Sequence, residues 1–281
     1  SMRIENNEMI LEVAEKAAEI TSFKEKSTGV EVMWQGDPAF WTGRNPTLFP
    51  MVGSTYNKKI VIDGKTYEMG NHGFCRHSMF TCTNHTEDSI TMTLEANEDT
   101  LAQYPFKFRL DITYKLEGKK VAVTYVIKNE DEKDMPFNFG LHPAFNCPQL
   151  EGEKFEDYWL EFSNNETLKG VNCTYNMNDE KKIPLTYPLF EEQKTIIFEW
   201  PKSSCVSLTN GKRGVHVYFS GYRWIAFWTI KPGAPYVCIE PWHSHTDFEE
   251  VNVPFEEREG TKILSPGKSF TTEYQFEYFA E

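Results

Sequence analysis

Three short segments, far apart in the chain, set ionisable side chains among glycine, proline and aromatic residues: Asn71-His72-Gly73-Phe74-Cys75-Arg76, Gly140-Leu141-His142-Pro143-Ala144-Phe145 and Glu240-Pro241-Trp242-His243-Ser244-His245-Thr246-Asp247. Read as one site, they supply imidazoles to give a proton, a carboxylate to take one and an arginine to hold an oxygen. Flat rings can receive an apolar face. That set suits a neutral polyol such as a sugar better than a phosphate or a nucleic acid.

Each residue also has a plainer reading. Pro143 restricts the backbone of His142 to extended conformations and so fixes the direction of its imidazole. A lone histidine in an apolar run is otherwise a hydrogen-bonded core residue. Glu240 closes the run Tyr236-Val237-Cys238-Ile239 ahead of Pro241. It is either half of a structural ion pair or a general base tuned by partly apolar surroundings. His72 and Arg76, four apart in one segment, can both face a ligand, and the planar fork of Arg76 can bind two sugar oxygens. Arg76 could equally pair with a surface acid. Asp247 could accept hydrogen bonds from sugar hydroxyls or be an ordinary loop acid. Trp242 belongs with Trp34, Phe40, Trp41, Phe74, Phe145 and Trp228, core residues by default, of which one or two could stack on a sugar ring. His243 and His245 face one side of an extended chain, but no carboxylate or third histidine stands at a familiar spacing, so they are not read as metal ligands.

The same segments, in their order along the chain, resemble the aldose 1-epimerase (galactose mutarotase) family, and most closely its LacX-like branch. The resemblance also takes in Trp34-Gln35-Gly36-Asp37-Pro38, Leu48-Phe49-Pro50-Met51-Val52-Gly53, Phe227-Trp228-Thr229-Ile230-Lys231-Pro232-Gly233-Ala234-Pro235 and Leu264-Ser265-Pro266-Gly267. It implies a large all-β sandwich of the galactose mutarotase type that interconverts the α and β anomers of a free aldose without metal or cofactor. Glu240 would act as general base on the anomeric hydroxyl and His142 as general acid at the ring oxygen. His72 would hold a substrate hydroxyl or the ring oxygen and support His142. The branch typically carries Arg where Ser54 stands here; Arg44, in Trp41-Thr42-Gly43-Arg44-Asn45-Pro46, is a candidate substitute. Three alternatives stay open: a sugar-binding or sensing protein of the same fold, a hexose 6-phosphate 1-epimerase, and a two-carboxylate glycosidase.

The elements that must position these residues read mostly as strands. Lys59 to Glu68 holds two β-rich runs around Asp63-Gly64, the signature of a tight hairpin. Phe106 to Leu116 with Lys120 to Lys128, and Cys205 to Thr209 with Val215 to Phe219, are further hairpin candidates around Gly118 and Asn210-Gly211. Single strands fit Ser89 to Glu95, Thr195 to Trp200, Trp224 to Ile230, Tyr236 to Glu240 and Ser269 to Phe279. Met9 to Phe23 has the composition of an amphipathic helix, whereas the resemblance implies opening strands, which is the reading adopted. A short helix is expected at Pro254 to Glu259. No repeat or Gly/Ser linker marks a boundary, so one sandwich domain over 1–281 is expected.

Composition narrows the function classes. Aromatic residues at 15% and hydrophobic ones at 40% argue for a folded, aromatic-rich interior. A formal charge of −13 repels phosphate backbones and anionic lipids at long range, so nucleic acid is not an expected partner, and the same balance argues against a phosphorylated substrate. No apolar stretch is long enough to span a bilayer and no leader is evident, which points to a soluble, cytoplasmic protein, monomer or homodimer. Ser1-Met2 reads as a cloning remnant. The six cysteines form neither a C-x-x-C pair nor a dense framework, so no zinc site or disulfide scaffold is expected.

Overall fold

In the computed structural model, which describes residues 1–281, the pair Phe108–Glu117 and Lys120–Asn129 shows how the chain builds its layers. Along both strands nearly every second side chain is buried, and Gly118 at φ 59° turns the chain between them. A strand of period 2 carries one apolar face, and that face must be covered.

Two antiparallel sheets cover each other. The larger has nine strands in the order Met177–Pro184, Trp159–Leu168, Cys205–Thr209, Arg213–Tyr218, Ser269–Ala280, Lys120–Asn129, Phe108–Glu117, Ser89–Glu95 and Thr81–His85. The smaller runs Ile196–Glu199, Trp224–Trp228, Tyr236–Trp242, Gly140–Leu141 and Thr47–Leu48, with Ala144–Asn146 also paired to Tyr236–Trp242. Phenylalanines lock the layers edge to face: Phe162 against Phe227 and Phe145 against Phe276, each with ring centroids 5.9 Å apart. One continuous apolar core fills the space between. The architecture is an all-β sandwich, as expected.

The opening segment follows the resemblance rather than its helical composition. Met9–Val13 and Ile20–Glu25 pair as antiparallel strands, with Met9, Leu11 and Val13 buried at alternate positions. Period-2 burial outweighs the alanine and glutamate propensity there. All three hairpins form; Asp63 and Gly64 both adopt positive φ, as a two-residue turn requires. The expected helix near Pro254 shrinks to one 3-10 turn, Phe255–Glu257. Two short helices were not foreseen. Glu98–Gln103 is capped by Asn97, whose side chain accepts the Thr100 N–H, and Tyr187–Gln193 is capped by Thr186. No helix is long and apolar enough to cross a membrane. All six cysteines are free thiols.

Candidate active site

The smaller sheet is buried on both faces, and its strand Tyr236–Trp242 divides them. Val237 and Ile239 point into the main core, while Tyr236, Cys238, Glu240 and Trp242 alternate onto the outer face. Gly140 pairs with Trp242 and Ala144 with Cys238, so one register crosses both short strands and sets His142 opposite Glu240. Pro143 and Pro241 have no N–H to continue the ladder at that point. The side chains meet instead: His142 Nε2 lies 3.4 Å from Glu240 Oε1, and the two side chains are 7% and 2% exposed. A Cβ on Gly140 would come within 2.9 Å of Trp242 Cδ1, so glycine is what lets that indole lie beside the pair. Trp242 Nε1–H donates to Glu240 Oε1 at 3.3 Å.

Aromatic rings enclose His142. Trp41 lies tilted over it at 4.9 Å, Trp228 meets it edge-on at 5.4 Å, and the His72 ring meets it edge-on at 5.3 Å. Burial pushes the Glu240 carboxyl well above the usual carboxylate range, with the indole N–H pulling the other way. Burial, then the neighbouring His72 and Arg76, push the His142 imidazole well below its ordinary range. Both shifts disfavour ionisation and so favour the state in which the couple carries one exchangeable proton and no net charge. Such a couple can accept a proton at one group while giving one from the other. Nδ1 of His142 has no hydrogen-bond partner in the protein.

His72 is held by the chain on both sides. Its own N–H donates to Gly53 O at 2.7 Å, and its Nδ1 accepts the Gly53 N–H at 2.9 Å. The ring is therefore the neutral tautomer with its proton on Nε2, a fixed donor lining the cavity. Burial, then the charge of Arg76, lowers its pKa to about 4. Gly73, at φ 72°, brings this loop against the Phe49–Pro50 backbone, where a Cβ would lie 2.2 Å from Phe49 O. Arg76 donates from Nε to His77 Nε2 at 3.2 Å and lines the same cavity.

The cavity holds about 400 Å³, within the range of small-ligand sites. His142, Glu240, His72, Arg76 and Trp242 all line it, as the sequence reading expected. Asp247 and Arg44 do not, and both expectations are corrected. The Asp247 carboxylate is buried in an ion pair with Arg258 and accepts the Tyr56 N–H at 2.8 Å, so it fastens the loop instead of facing the cavity. Arg44 turns into a neighbouring cavity, where Nη1 donates to Thr21 O at 3.1 Å. Ser54 does not line the site either; its backbone exchanges hydrogen bonds with Thr246 Oγ1 at 3.0 Å. Thr246, Thr195 and Val52 are wall residues that sequence reasoning did not single out. Thr246, inside the Glu240 segment, and Val52, inside the Leu48–Gly53 segment, carried a signal; Thr195 carried none.

Donor atoms of His142, Cys238 and Glu240 lie within 4.8 Å of one another. Burial and the adjacent Glu240 push the Cys238 thiol well above its ordinary range. His243 and His245 are engaged elsewhere. His243 stacks on Tyr222 and its Nε2 meets Thr272 Oγ1 at 2.8 Å, whereas His245 Nε2 meets Glu259 Oε1 at 2.8 Å.

An all-β sandwich of this kind is the fold of galactose mutarotase-like proteins. The family model for aldose 1-epimerase matches residues 1–277, and the chain belongs to that family. It is similar to the chromosomal protein LacX of Lactococcus lactis subsp. lactis, 33% identical over 285 residues that span 94% of this chain and 95% of that protein. Among solved structures it is similar to a galactose mutarotase related enzyme from Lactobacillus acidophilus, with 32% identity, 99% and 97% of the chains covered and a TM-score of 0.93. A galactose mutarotase-like protein from Lactobacillus casei superimposes with a TM-score of 0.88 at 26% identity, covering 99% of each chain.

Proposed function

We propose that the protein is an aldose 1-epimerase that interconverts the α and β anomers of an aldose. The observation that supports this most is the His142–Glu240 couple, set on opposed strands in a cavity of sugar size, with its one proton shared between a base and an acid. Glu240 takes the proton of the anomeric hydroxyl while the bond from the first carbon to the ring oxygen breaks. His142 gives a proton to that ring oxygen, leaving the open-chain aldehyde. Rotation about the first carbon–carbon bond presents the other carbonyl face, and closure with the roles reversed yields the other anomer. Hydroxyls that donate to Glu240 favour the charged form of the couple, Glu240 carboxylate with His142 imidazolium, at the moment it is needed. His72, through its fixed Nε2–H, and Arg76 hold oxygens, and Trp41, Trp228 and Trp242 take the apolar ring face. The chemistry draws on these side chains alone, for no redox or hydrolytic step occurs.

Polarimetry of freshly dissolved α-glucose and α-galactose tests the reading. Catalysed decay of the rotation is expected. A protein that binds these sugars without accelerating the decay would be a sugar-binding member of the fold.

The pH profile gives a second test. The couple loses its base when a second proton binds and loses its acid when its last proton leaves. His142 is lowered and Glu240 raised, so the neutral couple persists between the two displaced values. The acid limb of kcat/KM should therefore lie below 6.5, the ordinary histidine value. An acid limb at or above that value would mean that His142 is not desolvated in the working enzyme.

A further inference from the structure

Glu240 has a neighbour on its own strand that the proton-transfer scheme leaves unused. Cys238, two residues earlier in Tyr236–Trp242, projects onto the same outer face and is a free thiol, buried with Trp34, Ala144 and Tyr236. Ala144, two residues after His142, pairs with Cys238, so the register that sets His142 opposite Glu240 also brings it near the thiol. Donor atoms of the three side chains lie within 4.8 Å of one another. Zinc held tetrahedrally by sulfur, nitrogen and oxygen keeps its donors about 3.3–3.6 Å apart. His142 Nε2 and Glu240 Oε1 already stand 3.4 Å apart, which leaves the sulfur to approach, a gap within the sweep of a cysteine side-chain torsion. Nδ1 of His142 is buried without a hydrogen-bond partner, so no such bond holds the ring back from turning toward an ion. The charges also close. A lone carboxylate or thiolate is costly in so buried a place, but a dication bound by one of each makes a neutral cluster. Thiolate and imidazole ligands select zinc and softer ions, whereas magnesium and calcium call for more oxygen ligands than this trio supplies.

We propose that zinc, or a similar thiophilic divalent ion, binds between Cys238, His142 and Glu240 and arrests the acid–base couple. Binding displaces the thiol proton and the proton of the couple to solvent. The ion then occupies the lone pairs that Glu240 and His142 use in proton transfer. A fourth position, open to the cavity that His142 and Glu240 line, is filled by water. The ion is an inhibitor and takes no part in ring opening. The loss of activity rests on the epimerase reading, and the binding does not.

The test uses zinc, cadmium and magnesium chlorides in a chelator-free buffer, on the parent, on Cys238→Ala and on Cys238→Ser. Binding is measured by calorimetry, the cadmium–thiolate charge-transfer band by ultraviolet absorption, and turnover by polarimetry. Zinc or cadmium should bind the parent with the band rising in step, and mutarotation should stop and return on adding EDTA. Magnesium should do neither. Cys238→Ala removes the sulfur and leaves both proton-transfer groups, so it should keep the parent's metal-free kcat/KM. It should bind zinc about 100-fold more weakly or worse and show no cadmium band, since even an outer partner of a metal ligand is worth about 10–100-fold in affinity. Cys238→Ser fills the same space with a poor zinc ligand and should behave likewise, which keeps the test open if the alanine variant misfolds. Equal zinc affinity in parent and variants, cadmium binding without the band, or undiminished mutarotation by the zinc-saturated parent would each overturn the proposal. A parent that turns over no sugar yet binds zinc through Cys238 would leave the metal site standing and defeat the epimerase reading alone.

Discussion

Glu240→Gln and His142→Asn should each lower kcat/KM for mutarotation by about 100-fold or more, the usual loss when one of two proton-transfer groups is removed. Neither change should unfold the protein. Glutamine keeps the shape of a side chain that is 2% exposed and can still accept the Trp242 Nε1–H; asparagine leaves His142 neighbours Trp41 and Trp228 in place. Removing a carboxyl that burial already resists ionising costs little stability. The two losses should not add, because the couple works as one unit with a single proton, so the double variant should be about as slow as either single one. Thermal unfolding and circular dichroism on the same preparations would separate lost chemistry from lost fold. Parent-like turnover in both variants would refute the assignment of the couple.

Gly73→Ala should have the next largest effect, and through structure instead of chemistry. Gly73 has φ 72°, where an L side chain costs about 1–2 kcal/mol. Its added methyl would also lie 2.2 Å from Phe49 O and 2.8 Å from Pro50 N, both backbone atoms that no rotamer change can move. The loop must back away from Phe49, and His72 must go with it, breaking the two hydrogen bonds to Gly53. A stability loss of about 3 kcal/mol or more is expected, in the range of severe backbone and packing changes. Activity should fall even in the molecules that stay folded, because the fixed Nε2–H is displaced. Chemical denaturation measures the first effect and kinetics at a temperature well below unfolding measures the second. A variant as stable as the parent would show that the Phe49 approach is not tight in solution.

The sequence alone fixed the class of fold wherever one strand face was apolar and the other polar. Phe108–Glu117, Lys120–Asn129 and Ser89–Glu95 alternate cleanly in sequence, and the turn between the first two carries Gly118, which accepts positive φ. Strands at the edge escaped notice. Met177–Pro184, the edge strand, shows five polar side chains in a row to solvent, and its neighbour Trp159–Leu168 shifts register between Glu161 and Glu166, so neither keeps a period that can be read. Proline and glycine likewise marked His142 and Glu240, because Pro143 and Pro241 each restrict the residue before them. What sequence could not supply was the direction of long, charged side chains. Asp247 meets Arg258, eleven positions on, and Arg44 bends back to Thr21, and only the packed loops decide between such partners and a substrate. Local potential was also beyond reach: a composition of 42 acids and 29 bases says nothing of where three cations, Lys16, Arg44 and Arg76, line one cavity. Backbone periodicity and proline geometry act between neighbours in the chain and so are written in the sequence, whereas ion pairing and cavity charge depend on groups brought together across the fold and are decided by tertiary structure alone.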